Sequence, residues 1–176
     1  MPEYFVPKAQ RRRGRPKGGA TDARGRILAA AAEEFGEFGY DTATIRGIAA
    51  RAGVDSALVH HYFGTKADLF AETIEFPLRP DLAIPGILAG PREAIGESIV
   101  RFVLGRLEDG DARKRAVALL RSSLGNRLAA LLVAGFLQRE LIERIAVGLD
   151  VPDAELRASL AASQIAGLLI ARYVVQ

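Results

Sequence analysis

The chain has 176 residues, enough for one large or two small domains, and its 49% hydrophobic and 26% charged residues exclude a disordered or collagen-like protein. It contains no Cys, which excludes disulfides and thiol catalysis, and no apolar run reaches the roughly 18 residues of a membrane span. The net charge of +3 is unevenly spread: residues 1–17 hold Lys8, Arg11, Arg12, Arg13, Arg15 and Lys17 against Glu3 alone, a local +5.

Residues 1–20 are rich in Pro, Gly and Arg and lack apolar periodicity, so they read as a disordered basic arm. Such a concentration of charge suits a polyanion, most often nucleic acid; the plainer reading is a solubilising tail. No secretory h-region is present, and a cytoplasmic location is expected. Residues 21–76 read as a run of short helices. The first starts at Thr21 or Asp22, carries Ile27, Leu28, Ala31, Phe35 and Phe38 on one face, and stops at Gly39. Thr42 or Thr44 caps a second helix ending near Arg51. Ala52-Gly53-Val54-Asp55 is a tight turn, and Asp55 or Ser56 caps a third helix ending near Phe63. Thr65 and Asp68 form a capping box for a fourth helix, to about Phe76.

Residues 77–91 hold four prolines and two glycines and are expected to be a connector with few regular turns. Residues 92–176 are Ala/Leu-rich, with helical patterns over 92–107, 111–123, 126–149 and 153–175. No alternating β-pattern persists. The fold class is all-α.

Within residues 45–62, Ile45, Ile48, Ala49 and Ala52 line one face of a helix, Gly53 sits at the turn, and Val54 and Val59 pack the next helix back. Small residue, turn glycine and aliphatics at these offsets are the internal logic of a helix-turn-helix. The stretch from Arg24 to Phe70 resembles the DNA-binding domain of the tetracycline-repressor (TetR) family, which includes AcrR-like regulators. The resemblance rests on Phe38-Gly39-Tyr40, Thr44, Ile48-Ala49, Ala52-Gly53-Val54, Phe63, Lys66 and Leu69. The family usually has Tyr where this chain has His60.

The resemblance implies that the third helix enters a major groove of double-stranded DNA and presents Asp55, Ser56, Ala57, His60 and His61, with Tyr62 sharing phosphate contact. Arg46 would reach a guanine edge or a phosphate. Lys66 would anchor a phosphate, and Thr44 would bind one at a helix N-terminus. Arg13-Gly14-Arg15-Pro16 resembles the core of an AT-hook, which would add minor-groove contacts through Arg13 and Arg15. For Arg46 the bland alternative is a solvated helix residue. His60 and His61 are adjacent and point about 100° apart, so no metal is expected between them.

For residues 77–176 the family implies a helical effector-binding and dimerisation domain. The row Ala158, Ala162, Ala166 and Ile170 in segment 153–175 is expected to line a two-fold interface, with ordinary intrachain core as the alternative. Ser159, Ser163 and Gln164 would lie near that interface or a cavity. Arg121, Ser122, Ser123, Asn126, Phe136 and Gln164 are candidate pocket groups; a salt bridge from Arg121 to Glu140 or Glu143 is the bland reading. The Ala/Leu-rich walls favour an apolar or amphipathic small-molecule effector. The apolar pattern runs to Gln176 without a stop signal, where family members usually continue through another helix.

An enzyme is not expected. Both His residues lie on the reading helix, and no G-x-x-x-x-G-K loop or G-x-S-x-G turn occurs. Glu33-Glu34 and Glu108-Asp109 read as solvated pairs, and no cofactor is implied. The leading expectation is a homodimeric, ligand-responsive repressor on a palindromic operator. The alternative is an architectural, nucleoid-associated protein using the AT-hook-like arm.

Overall fold

A computed structural model describes residues 19–175, and every regular element among them is a helix. Helix α1 spans Gly19–Thr42 and buries Ile27, Ala31 and Phe35, spaced four apart on one face. At Gly39 the backbone leaves the helix (φ 77°, ψ 172°), a conformation cheap only for glycine. This break overturns one expected core position. Phe38 stays 45% exposed beneath the Arg51 guanidinium, while Tyr40 turns inward to 3% exposure.

Helix α2 (Ile45–Ala52) ends at Gly53, which is left-handed (φ 64°) and returns its N–H to the Ala49 and Ala50 carbonyls. Helix α3 (Ser56–Phe63) follows. Helix α4 (Lys66–Thr73) opens on the reciprocal Thr65–Asp68 capping box. The four helices close around Ile27, Phe35, Tyr40, Ile48, Val59, Phe63, Leu69 and Phe70.

The connector departs from expectation, because Pro80–Leu88 forms helix α5. Pro80 occupies its first turn, where a missing N–H costs nothing. Pro85 lies inside the helix; burial of Ile84 against Ile145 and Ala158 offsets its lost hydrogen bond. A short 3-10 turn leads into α6 (Ile95–Glu108), and α7 (Gly110–Gly125) returns. Helix α8 (Arg127–Leu137), a π-turn (Gln138–Ile142) and α9 (Glu143–Leu149) then run on with right-handed helical backbone at each junction, so the expected 126–149 segment is one rod with a π-bulge. Helix α10 (Ala154–Tyr173) completes the body.

The small-residue row of α10 is divided: Ala158 is 1% exposed beside Ile84 and Ile145, and Ala162 and Ala166 border a cavity of the body, while Ala166 also remains exposed. Leu156, Leu160 and Leu168 point outward instead, at 60%, 55% and 42% exposure. Among the described residues no helix is long and apolar enough to cross a membrane.

Candidate nucleic-acid interface

Helix α3 rests on α2 and α4 through Val59 and Phe63, both buried, and therefore turns its other side outward. Asp55, Ala57, His60 and His61 are exposed; Ser56 and Tyr62 are half-buried. Asp55 is the N-cap: its Oδ1 accepts the Ala57 N–H at 2.7 Å, so this carboxylate serves the helix end. The Nδ1 of His60 lies 2.7 Å from the Gly64 carbonyl oxygen. A carbonyl only accepts, so Nδ1 carries the proton, and in the neutral ring Nε2 is left as an acceptor. His61 packs edgewise on Tyr62, with ring centroids 5.4 Å apart. The Thr44 hydroxyl accepts the Gly47 N–H at 3.0 Å and caps α2, which leaves its own O–H available. A Cβ at Gly47 would fall 2.0 Å from Glu34 Oε1, so a larger residue there would displace the Glu34 carboxylate from its place beside Arg51.

Residues 19–76 carry five cations against nine carboxylates, so this DNA-reader-like unit is acidic by itself. Four of the five cations have internal partners. Arg24 pairs with Glu72. Arg26 donates to the Ala52 carbonyl at 2.8 Å, at the end of α2. Arg51 donates to Glu34 at 2.6 Å and also pairs with Glu37. Lys66 is the notable case. Its ammonium donates to the carbonyls of Asp41 (3.1 Å) and Ala43 (3.0 Å) and sits 4.7 Å from the Tyr40 ring centroid. Burial pushes its pKa below the ordinary lysine value. Lys66 thus bridges the chain between α1 and α2. Arg46 is exposed and has no ion pair or hydrogen bond among the described residues. It borders a recess formed by Thr44, Gly47, Val54, Asp55 and Ser56, where the start of α2 meets the start of α3. Arg13 and Arg15 lie outside the described residues.

Residues 27–73 match the model of the bacterial regulatory proteins of the tetR family, and residues 93–176 match that of the tetracyclin repressor-like C-terminal domain. The chain belongs to the TetR family. It is 42% identical over 86 residues to the HTH-type transcriptional regulator BetI of Agrobacterium fabrum, covering 46% of this chain and 41% of that one. It is 48% identical over 48 residues to the transcriptional dual regulator CecR of Shigella flexneri, covering 27% and 21%. The chain therefore matches less than half the length of these curated relatives. A TetR-family regulator of Streptomyces coelicolor A3 is 35% identical over 91% of this chain and 83% of its own, with a TM-score of 0.41.

In this TetR-family chain the body holds a partly open cavity of about 210 Å³ between α5, α6, α7, α10 and the α8–α9 rod. Of the candidate effector contacts, Ser123 is in its wall, whereas Arg121, Ser122, Asn126, Phe136 and Gln164 are not. Arg121 and Ser122 are exposed, and Arg121 borders a surface depression with Arg113, Lys114 and Tyr173. The alternative bridge from Arg121 is also absent, because Glu140 pairs with Arg144 and Glu143 with Arg139. Asn126 caps α8, its Oδ1 accepting the N–H groups of Leu128 and Ala129. Gln164 is exposed on α10. Phe136 is buried in the N-terminal core, with its ring 4.9 Å from Phe70 and 5.3 Å from Tyr40.

The sequence reading missed the seam between body and reader. The Tyr40 hydroxyl donates to buried Glu140 Oε1 at 2.6 Å, across 100 positions of chain. Glu140 lies on the π-turn, and Phe136 one turn before it fills the aromatic cluster. Leu137, Leu141 and Ile145 of the same rod face the cavity. Tyrosine after Phe-Gly was the sole local signal; its partner is set by tertiary packing.

Proposed function

We propose that the chain is a DNA-binding transcriptional repressor that acts in the cytoplasm as a homodimer on a palindromic operator, with a small molecule in the body as its release signal. The observation that carries the reading is Arg46. It is the one cation of residues 19–76 without an internal partner among the described residues, and it stands beside the exposed start of α3. Helix α3 lies in the major groove, with Ala57 against a thymine methyl and Ser56, His60 and His61 toward base edges or phosphates. The basic arm supplies the charge that the acidic reader lacks. The dimer forms through the late helices, on the outer leucine face of α10 and on Leu128 and Leu131 of α8, which are 52% and 60% exposed.

The rod from Arg127 to Leu149 supports the ligand response. Its cavity side and its Tyr40 side belong to one continuous helical segment, so a ligand pressing on Leu137 and Leu141 displaces the atoms that hold α1. That shifts the two recognition helices away from the spacing of successive major grooves, about 34–36 Å.

Selection of duplexes from a random pool at two salt concentrations tests this. The expected product is one palindrome with half-sites about one helical turn, or a small multiple, apart. Recovery of A·T-rich sequence without symmetry would instead mean that the arm dominates.

A further inference from the structure

The cavity of the body has a distinctive chemistry. Its wall is built from α5, α6, α7, α10 and the central rod, and it contains no charged side chain. Every lining residue but one is apolar or aromatic; the exception is Ser123 on the last turn of α7. The Oγ of Ser123 is buried and has no hydrogen-bond partner among the described residues. A buried hydroxyl without a partner is costly, and helical serines ordinarily avoid that cost by bonding back to their own helix. The oxygen presents almost no surface to the cavity as it stands, and a turn of the Ser123 side chain about χ1 brings it to a partner that arrives from outside the chain.

We infer that this cavity binds an uncharged, mainly hydrocarbon molecule whose single polar group, a hydroxyl or carbonyl oxygen, pairs with Ser123. The inference deepens the effector reading above and rests on it for its consequence at DNA. Size follows from the cavity: an apolar space of about 150 Å³ accommodates benzene, so this one accepts a molecule of roughly ten non-hydrogen atoms. Charge is excluded by the wall, because a carboxylate or ammonium would lose its hydration and meet no counter-ion. Selectivity among neutral molecules comes from Ser123, which has one O–H to donate and lone pairs to accept. Arg121, Arg113 and Lys114 border a separate, open depression on the surface, so they do not supply a counter-ion within the cavity wall.

The test is calorimetric titration of the full chain with 4-propylphenol, propylbenzene and 4-propylbenzoate. Wild type is expected to bind the phenol about fivefold more tightly than the hydrocarbon, the ratio of one net hydrogen bond, and not to bind the benzoate. In Ser123→Ala the phenol's advantage disappears while propylbenzene keeps its affinity, and Ser123→Thr restores the preference. Thermal melting of Ser123→Ala is expected at or above the wild-type temperature, since the variant removes an unpaired polar group. Equal affinities in wild type, a phenol preference that survives in Ser123→Ala, or strongest binding of the benzoate would each overturn the assignment. Operator binding is followed in parallel. A phenol preference that depends on Ser123 supports the assignment whether or not DNA is released, and a failure of release alone overturns the effector reading instead.

Discussion

Tyr40→Phe deletes one oxygen from the seam between reader and body. Tyr40 is 3% exposed, and its hydroxyl donates to Glu140 Oε1 at 2.6 Å. Glu140 is 8% exposed and keeps one other partner, Arg144 at 2.5 Å, whose side chain is half in solvent. A hydrogen bond to a charged acceptor contributes about 1.5–3 kcal/mol, and the surviving ion pair argues for a loss near 2 kcal/mol. For a chain of this length that corresponds to a Tm lower by about 4–8 °C. Urea unfolding followed by circular dichroism at pH 7 measures the loss. Tyr173→Phe is the control: its hydroxyl accepts a hydrogen bond from Arg172 at 3.2 Å at the surface, and the change should stay within about 0.5 kcal/mol. The pH dependence has a definite sign. Burial, and then the Glu140 carboxylate, hold the Tyr40 phenol far above its ordinary value. The unfolded phenol ionises near pH 10, so above that pH the folded state retains a proton that the unfolded state has lost. The stabilisation is complete below about pH 10 and declines as pH rises further, which narrows the gap between wild type and Tyr40→Phe. A loss under about 0.5 kcal/mol at pH 7, or a gap that stays constant to pH 11, would refute the seam as described.

Arg46→Ala should weaken operator binding about tenfold or more at fixed salt and leave the unfolding midpoint unchanged; unchanged fluorescence anisotropy titrations would remove Arg46 from the interface. Lys66→Met should cost about 2 kcal/mol of stability, because two backbone carbonyls lose a charged donor. The salt dependence of its DNA affinity should match wild type, and a slope smaller by about one would return Lys66 to the phosphates. Deleting residues 1–17 removes six cations and should both weaken DNA binding and flatten its dependence on salt; an unaltered slope would sink the role of the arm.

Local signals carried the reader far. Thr44, Gly53, Asp55 and the Thr65–Asp68 box mark helix ends through bonds that span at most five residues, so their chemistry is legible in the string. Helix α5 was not legible, because two prolines mask a segment whose helix is sustained by Ile84 packing on α9 and α10. The intrachain partners of Lys66 and Phe136 were also hidden. A cation at a helix start and a phenylalanine in an apolar run each fit several sites, and only neighbours distant in sequence choose between them.

The amino-acid sequence by itself determined the all-helical class, the helix-turn-helix and its outward residues, and the basic arm, because periodicity, capping and charge act over short spans of chain. The tertiary structure decided which cation is left without a partner, which face of α10 turns outward, and that Ser123 rather than Arg121 stands in the cavity wall. Each of these depends on which side chains meet across tens of residues, and burial of apolar surface settles that only when all the helices pack together.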